Sequence, residues 1–112
     1  MNINHYKQGS FTIVRVCESR MDAATAPTFK QIMTQLHSSG VNRIVLDLSQ
    51  VQFMDSSSLG ALVNLLKLVG NRGDLIIAGA QGIVADLFKL TRMDRVFRMV
   101  TSVDAVLDAA TA

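Results

Sequence analysis

Met54-Asp55-Ser56-Ser57-Ser58-Leu59-Gly60 sets a carboxylate and three hydroxyls between two apolar patterns of different period. Upstream, Ile44-Val45-Leu46-Asp47-Leu48 is a short, nearly continuous apolar run, as in a strand buried on both faces, and Phe53 and Met54 keep the chain anchored after it. Downstream, Leu59, Leu62, Val63 and Leu66 recur at helical spacing, so a helix begins within or just after the serines. A buried strand handing over to an amphipathic helix is the repeating step of an α/β domain.

The first turn of a helix carries unpaired backbone N–H groups and a partial positive charge, which tolerate Asp, Ser and phosphoserine alike. Asp55 or Ser56 suffices to cap the helix. Three consecutive serines exceed that need. From Ser57 a stripe of Gly60, Ala61 and Asn64 runs along the helix, small and nearly flat, against which a bulky partner surface such as a kinase cleft could lie. Leu65 and Leu68 fall beside the core-facing positions, as core or as an interaction patch.

The rest of the chain fits the same plan. Ile3–Tyr6 and Phe11–Val16 read as strands joined at Gly9-Ser10, an opening hairpin. A helix follows, with Phe29, Ile32, Met33 and Leu36 buried and Ser39-Gly40 closing it. Pro27 suits a first helical turn, which makes Thr25 the N-cap and leaves Asp22 in the preceding loop, its carboxylate available to a partner or a nucleotide. After the serine helix, Gly70-Asn71-Arg72-Gly73-Asp74 is a turn cluster and Leu75-Ile76-Ile77-Ala78 another buried strand, parallel to the one before it. Gly79-Ala80-Gln81-Gly82 leads into a short helix with Ile83, Leu87 and Leu90 on its buried side. Val96–Val100 is the last strand, and a final helix starts at Ser102 with Val103, Val106, Leu107 and Ala110 docked.

The expected fold is therefore α/β: one domain over 1–112, an opening hairpin and then βα units, with a mixed, mainly parallel sheet covered chiefly by helices. In such sheets functional loops gather at the carboxyl ends of the strands. The turn from Asp55 to Ser58, the Gly79–Gly82 loop and Asp22 are expected on that rim.

Composition narrows the function. Eleven Lys and Arg stand against nine Asp and Glu, a net charge of +2, with the basic residues scattered, so nucleic acid is not an expected partner despite the pI near 9.0. The single Cys17 precludes an internal disulfide and suits a small buried position in a reducing cytoplasm. No membrane span or signal peptide is evident, and a cytoplasmic location is expected. Catalysis is not: His5 and His37 lie far from Ser57 and have no evident relay, no Gly-x-Ser-x-Gly turn or phosphate-binding Gly-x-x-x-x-Gly-Lys loop occurs, and no cluster of ligands suggests a metal. No cofactor is expected.

The strand, Asp55-Ser56-Ser57, Leu59-Gly60 and helix resemble, in that order, the phosphorylation-site signature of the STAS domain of bacterial anti-sigma factor antagonists. The resemblance extends over almost the whole chain. Arg20-Met21-Asp22 with Thr25-Ala26 and Phe29 is similar to the family's approach to its first helix; Leu90-Thr91-Arg92-Met93 with Val96-Phe97 is similar to its late loop and strand, and Ser102-Val103-Asp104-Ala105-Val106 to its closing helix. What the resemblance implies is a binding protein that is a kinase substrate. The second serine after the Asp, Ser57, is the implied acceptor; Asp55 and Ser56 orient it. Asp22 is an implied partner contact, and Met93 either an apolar contact beside the site or a core residue. The implied partners are an anti-sigma factor that is often itself a serine kinase, released on phosphorylation, and a metal-dependent serine phosphatase that restores binding. Two positions depart from the family pattern: Ser58 and Ser19 stand where Gly is common, and Ser58 is either a second acceptor or a small residue replacing that Gly. The alternatives are a non-switching STAS subunit of a transporter or other assembly, and weak nucleotide binding at the same rim, to be tested through Asp22.

Overall fold

The computed structural model describes residues 1–111, with side chains as far as Leu107. In chain order the elements are β1 (Ile3–Gln8), β2 (Phe11–Val16), β3 (Arg20–Met21), α1 (Ala26–Ser38), β4 (Arg43–Asp47), β5 (Phe53–Met54), α2 (Ser56–Val69), β6 (Asp74–Ala78), α3 (Gly82–Leu90), β7 (Arg98–Val100) and α4 (Val103–Thr111). The main sheet runs β1-β2-β4-β6-β7. Its first pair is the antiparallel hairpin, and every later pair is parallel. The expected mixed, mainly parallel sheet is thus the observed one.

Side chains alternate across this sheet, and both faces are covered. Val14, Val16, Ile44, Leu46, Leu75 and Ile77 face α1, α2 and α3, which contribute Phe29 and Met33, Leu62 and Leu65, and Val84 and Phe88 to one core. Phe11, Ile13, Val45, Ile76 and Ala78 face the other way, where Val106 of α4 joins them. Three helices on one face and one on the other explain why the central strands read as continuous apolar runs.

Three expectations are corrected. In α3 the buried side chains are Val84 and Phe88, whereas Ile83 is 60% exposed and Leu90 83%. Both sets have helical spacing, so periodicity alone does not choose between them. Phe88 does: its ring meets Phe97 edge-on at 5.7 Å, and burying the larger aromatic surface outweighs leaving aliphatics in water. The last strand begins at Arg98, because Val96 and Phe97 donate their N–H groups to the carbonyl of Met93 in a turn and cannot enter the ladder. In α2, Leu65 and Val69 are buried while Val63 and Leu66 are only half-buried, which makes Leu65 core. The expected docking of Ala110 concerns a side chain outside those described.

Candidate functional site

The loops after β2 and β4 are fastened together by the two-stranded parallel pair β3–β5, which the sequence did not reveal because each strand has two residues. The carbonyl of Ser19 accepts from Gln52 N at 2.8 Å and Phe53 N at 3.0 Å, and the carbonyl of Met21 accepts from Asp55 N at 3.3 Å. Ser19 manages this at negative φ, so the absence of glycine there costs no backbone strain. Arg20 lies over the Phe53 ring, 4.2 Å from its centroid, and its Nε donates to Asp22 Oδ2 at 3.1 Å. The clasp brings the approaches to α1 and α2 side by side.

Asp55 completes it. Its backbone is extended, and its Oδ1 accepts from Ser58 N at 3.0 Å, the N-cap bond, while Oδ2 accepts from Ala23 N at 3.1 Å in the neighbouring loop. One carboxylate therefore starts α2 and ties it to the lead-in of α1. Ser56 and Ser57 follow in the first turn, both exposed. Between the two helices lies a groove of about 620 Å³ lined by Ala23, Ala26, Pro27, Lys30, Ser57, Gly60 and Ala61. Ala61 is only 3% exposed and forms part of the lining, and Gly60 is open to solvent. Asn64 is exposed farther along α2.

The geometry changes the expectations about Asp22 and Thr25 and decides between those about Ser58 and Met93. Asp22 does not have a carboxylate to spare: Oδ1 accepts from Ala24 N at 3.0 Å and Thr25 N at 3.3 Å, and Oδ2 holds Arg20. Thr25 occupies the N-cap position but makes no side-chain cap; its Oγ1 accepts from Asp22 N and donates to the Asp22 carbonyl, closing the loop on itself. Ser58 is fully buried, so it is a small residue in the packed first turn and not a surface for a partner. Met93 is half-buried against the core and does not line the groove, which favours its core role.

The Gly79–Gly82 loop reaches the same rim at another point. Gly79 has φ +77, and a Cβ there would fall 2.9 Å from Ser49 Cβ, a close approach only glycine allows. Gln81 Nε2 donates to the Ser49 carbonyl at 3.3 Å. Sequence reasoning missed Lys30, Ala23, Ala26 and Pro27 as walls of the groove. The usable signal was the run of small residues before α1, which mirrors Gly60-Ala61 on α2.

The family model of the STAS domain matches residues 2–106. The chain belongs to the STAS domain family. Among its curated relatives, the anti-sigma-B factor antagonist of Staphylococcus aureus is 32% identical over 92 residues, 81% of this chain and 84% of the relative, which places this STAS protein among the anti-sigma factor antagonists. In fold it is similar to an anti-sigma factor antagonist from Mycobacterium paratuberculosis, with a TM-score of 0.88, 22% identity and coverage of 99% of this chain and 94% of the other. It is also similar to the Bacillus anti-sigma factor antagonist SpoIIAA, solved unphosphorylated (TM-score 0.72, 15% identity, 99% of each chain) and phosphorylated (TM-score 0.71, 14% identity, 96% and 99%). Among the described residues of this STAS domain, no helix is long and apolar enough to cross a membrane.

The geometry carries two predictions. The Arg20 guanidinium, followed by the Thr25 and Ala24 N–H groups, holds the Asp22 carboxyl below its ordinary range. A depressed folded-state pKa stabilises the protein above the unfolded value of about 3.9, and that contribution disappears as pH falls through the lower folded value. Carboxyl NMR titration of Arg20→Ala should move Asp22 upward; an unchanged titration would exclude Arg20 as the main cause. The buried Ser58 Oγ has no hydrogen-bond partner among the described residues. Ser58→Ala should therefore leave stability unchanged or raise it by about 1 kcal/mol in urea unfolding, since removing an unpaired buried hydroxyl relieves its desolvation cost. A loss of stability would mean that the hydroxyl is paired in solution.

Proposed function

We propose that this STAS protein acts by phosphorylation-controlled partner switching: with Ser57 unmodified it binds an anti-sigma factor and frees the sigma factor, and phosphorylation of Ser57 breaks that complex. The observation that carries the reading is the exposed Ser57 in the first turn of α2, lining a groove together with Gly60 and Ala61. A partner seated on Gly60, Ala61 and Asn64 would lie directly against it. Phosphorylation adds about 1.5 to 2 negative charges at pH 7. The helix N-terminus tolerates them, but an apposed surface must bury or repel them. The SpoIIAA structures in both phosphorylation states offer a precedent in a protein of the same fold.

In this reading the protein is a binding module and a substrate rather than an enzyme. Ser57 is the acceptor. Asp55 fixes the start of α2, Ser56 and Asn64 flank the contact surface, and Asp22 acts through the shape of its loop. The anti-sigma factor is also the serine kinase, and a metal-dependent serine phosphatase resets the switch in the cytoplasm.

The test is capture from the native lysate with wild-type, Ser57→Ala and Ser57→Asp baits, with bound proteins and the phosphosite identified by mass spectrometry. Capture of an anti-sigma factor kinase by the first two but not the third, with Ser57 phosphorylated in cells, is the expected result. Capture of the same assembly or transporter subunits by all three, with Ser57 unmodified, would replace switching by a constitutive structural role.

A further inference from the structure

Lys30 lines the groove together with Ser57, on the opposite helix. It stands one turn beyond Ala26, another lining residue, so its stem rises along the same face of α1. It is exposed, and among the described residues it belongs to none of the ion pairs, which join Arg15 to Asp47, Arg20 to Asp22 and Arg43 to Asp74. Arg20, the cation of the clasp, is held between Asp22 and the Phe53 ring. The carboxylates of the two adjoining loops are likewise committed, Asp55 to Ser58 N and Ala23 N, Asp22 to its own loop and Arg20. Gly60 and Ala61, which line the same groove one turn beyond Ser57, add no bulky side chain to it.

We propose that Lys30 is the positioning residue for a phosphate on Ser57: its ammonium pairs with the phosphoryl oxygens across the groove and holds the group between α1 and α2. The inference rests on Ser57 being the acceptor and adds how the modified state is held. A lysine suits the task, since a flexible four-carbon stem carrying a point charge can follow an added group without a fixed fork geometry. The pair is solvent-exposed, so its strength is modest and falls with salt. Its consequence is steric as well as electrostatic: a phosphate drawn over Gly60 and Ala61 occupies part of the groove that the unmodified protein presents.

The test uses the full chain with phosphoserine installed at position 57 during translation, followed by ³¹P NMR as a function of pH. In the wild type the second phosphate ionisation should lie below the value of about 6 for an unperturbed phosphoserine. Lys30→Ala should raise it by several tenths of a unit, Lys30→Arg should restore it, and molar salt should shrink the difference. Phosphoserine placed at Ser56, which does not line the groove, should titrate alike with and without Lys30. Coincident titrations for wild type and Lys30→Ala at Ser57 would overturn the pairing. A ¹H–¹⁵N spectrum checks the fold of each variant, with Lys30→Gln replacing alanine if that variant unfolds. Because the phosphate is installed directly, this result is independent of which serine a kinase selects. Phosphosite mapping of cellular protein tests that choice separately, and modification elsewhere would remove the regulatory meaning of the pair without altering the titration.

Discussion

Phosphorylation of Ser57 is expected to lower affinity for the anti-sigma factor by about 100-fold or more, with Ser57→Ala binding as tightly as the unmodified protein. A factor of 100 corresponds to about 2.7 kcal/mol, well within the several kcal/mol that an unmatched charge costs at a packed interface. The size follows from location. Ser57 is exposed on a groove wall, and Gly60 and Ala61 beside it allow close approach, so a partner that uses the groove meets the phosphate at contact distance. Ser57→Asp should show a smaller loss, because one carboxylate carries less charge and fewer acceptor oxygens than a phosphate. The fold should persist in all three forms, since a negative group in the first turn of α2 is electrostatically favourable there. Calorimetric titration of each form with the captured partner measures the affinities, and thermal unfolding measures the fold. Equal affinity of phosphorylated and unmodified protein would end the switching proposal.

Asp55→Ala is expected to destabilise the domain by about 2 to 3 kcal/mol, more than either an ordinary cap deletion or the loss of a single neutral hydrogen bond. The carboxylate satisfies Ser58 N at the start of α2 and Ala23 N in the other loop, so alanine forfeits a cap and a charge-assisted tether at once. Asp55→Asn separates the two. Asparagine keeps one acceptor oxygen for the cap but presents an NH₂ to Ala23 N–H, and it should retain roughly half of the stability lost in the alanine variant. Urea unfolding with a common m-value resolves the series. If Asp55→Ala lies within about 0.5 kcal/mol of the wild type, the double engagement does not hold in solution. The groove should respond as well. Without the tether the Ala23 wall is held to the Ser57 wall only through the β3–β5 pair, so Asp55→Ala should also weaken partner binding, and Asp55→Asn should weaken it less than alanine.

Much of this is legible in the sequence, for definite reasons. Ile44–Leu48 and Leu75–Ala78 lie within strands buried on both faces, and only continuous apolar runs satisfy that environment. Asp55 was legible as one of two cap candidates, with Ser56, because short polar side chains before a helical period suit an N-cap, and the structure chose Asp55. The two-sided use of Asp55 was not legible, since its second partner, Ala23, is 32 residues away and offers only a backbone N–H, which every residue but proline has. Asp22 was misjudged for a related reason: sequence shows that a carboxylate is in a loop, but not that the loop turns back to surround it.

The same distinction runs through the molecule. By itself the sequence determined the alternation of strands and helices, the parallel centre of the sheet, the start of α2 at the serines and the candidacy of Ser57, because each depends on the spacing of residue types along a few turns or strands. Only the tertiary structure decided which serine hydroxyl is buried, which face of α3 turns inward, that Asp22 is occupied and that Lys30 shares a groove with Ser57. Those outcomes depend on which surfaces compete for the same space. Ser58 and Ser57 are chemically identical neighbours about 100° apart on a helix, and only the packing of α2 against the rest of the domain sends one hydroxyl inward and leaves the other at the surface.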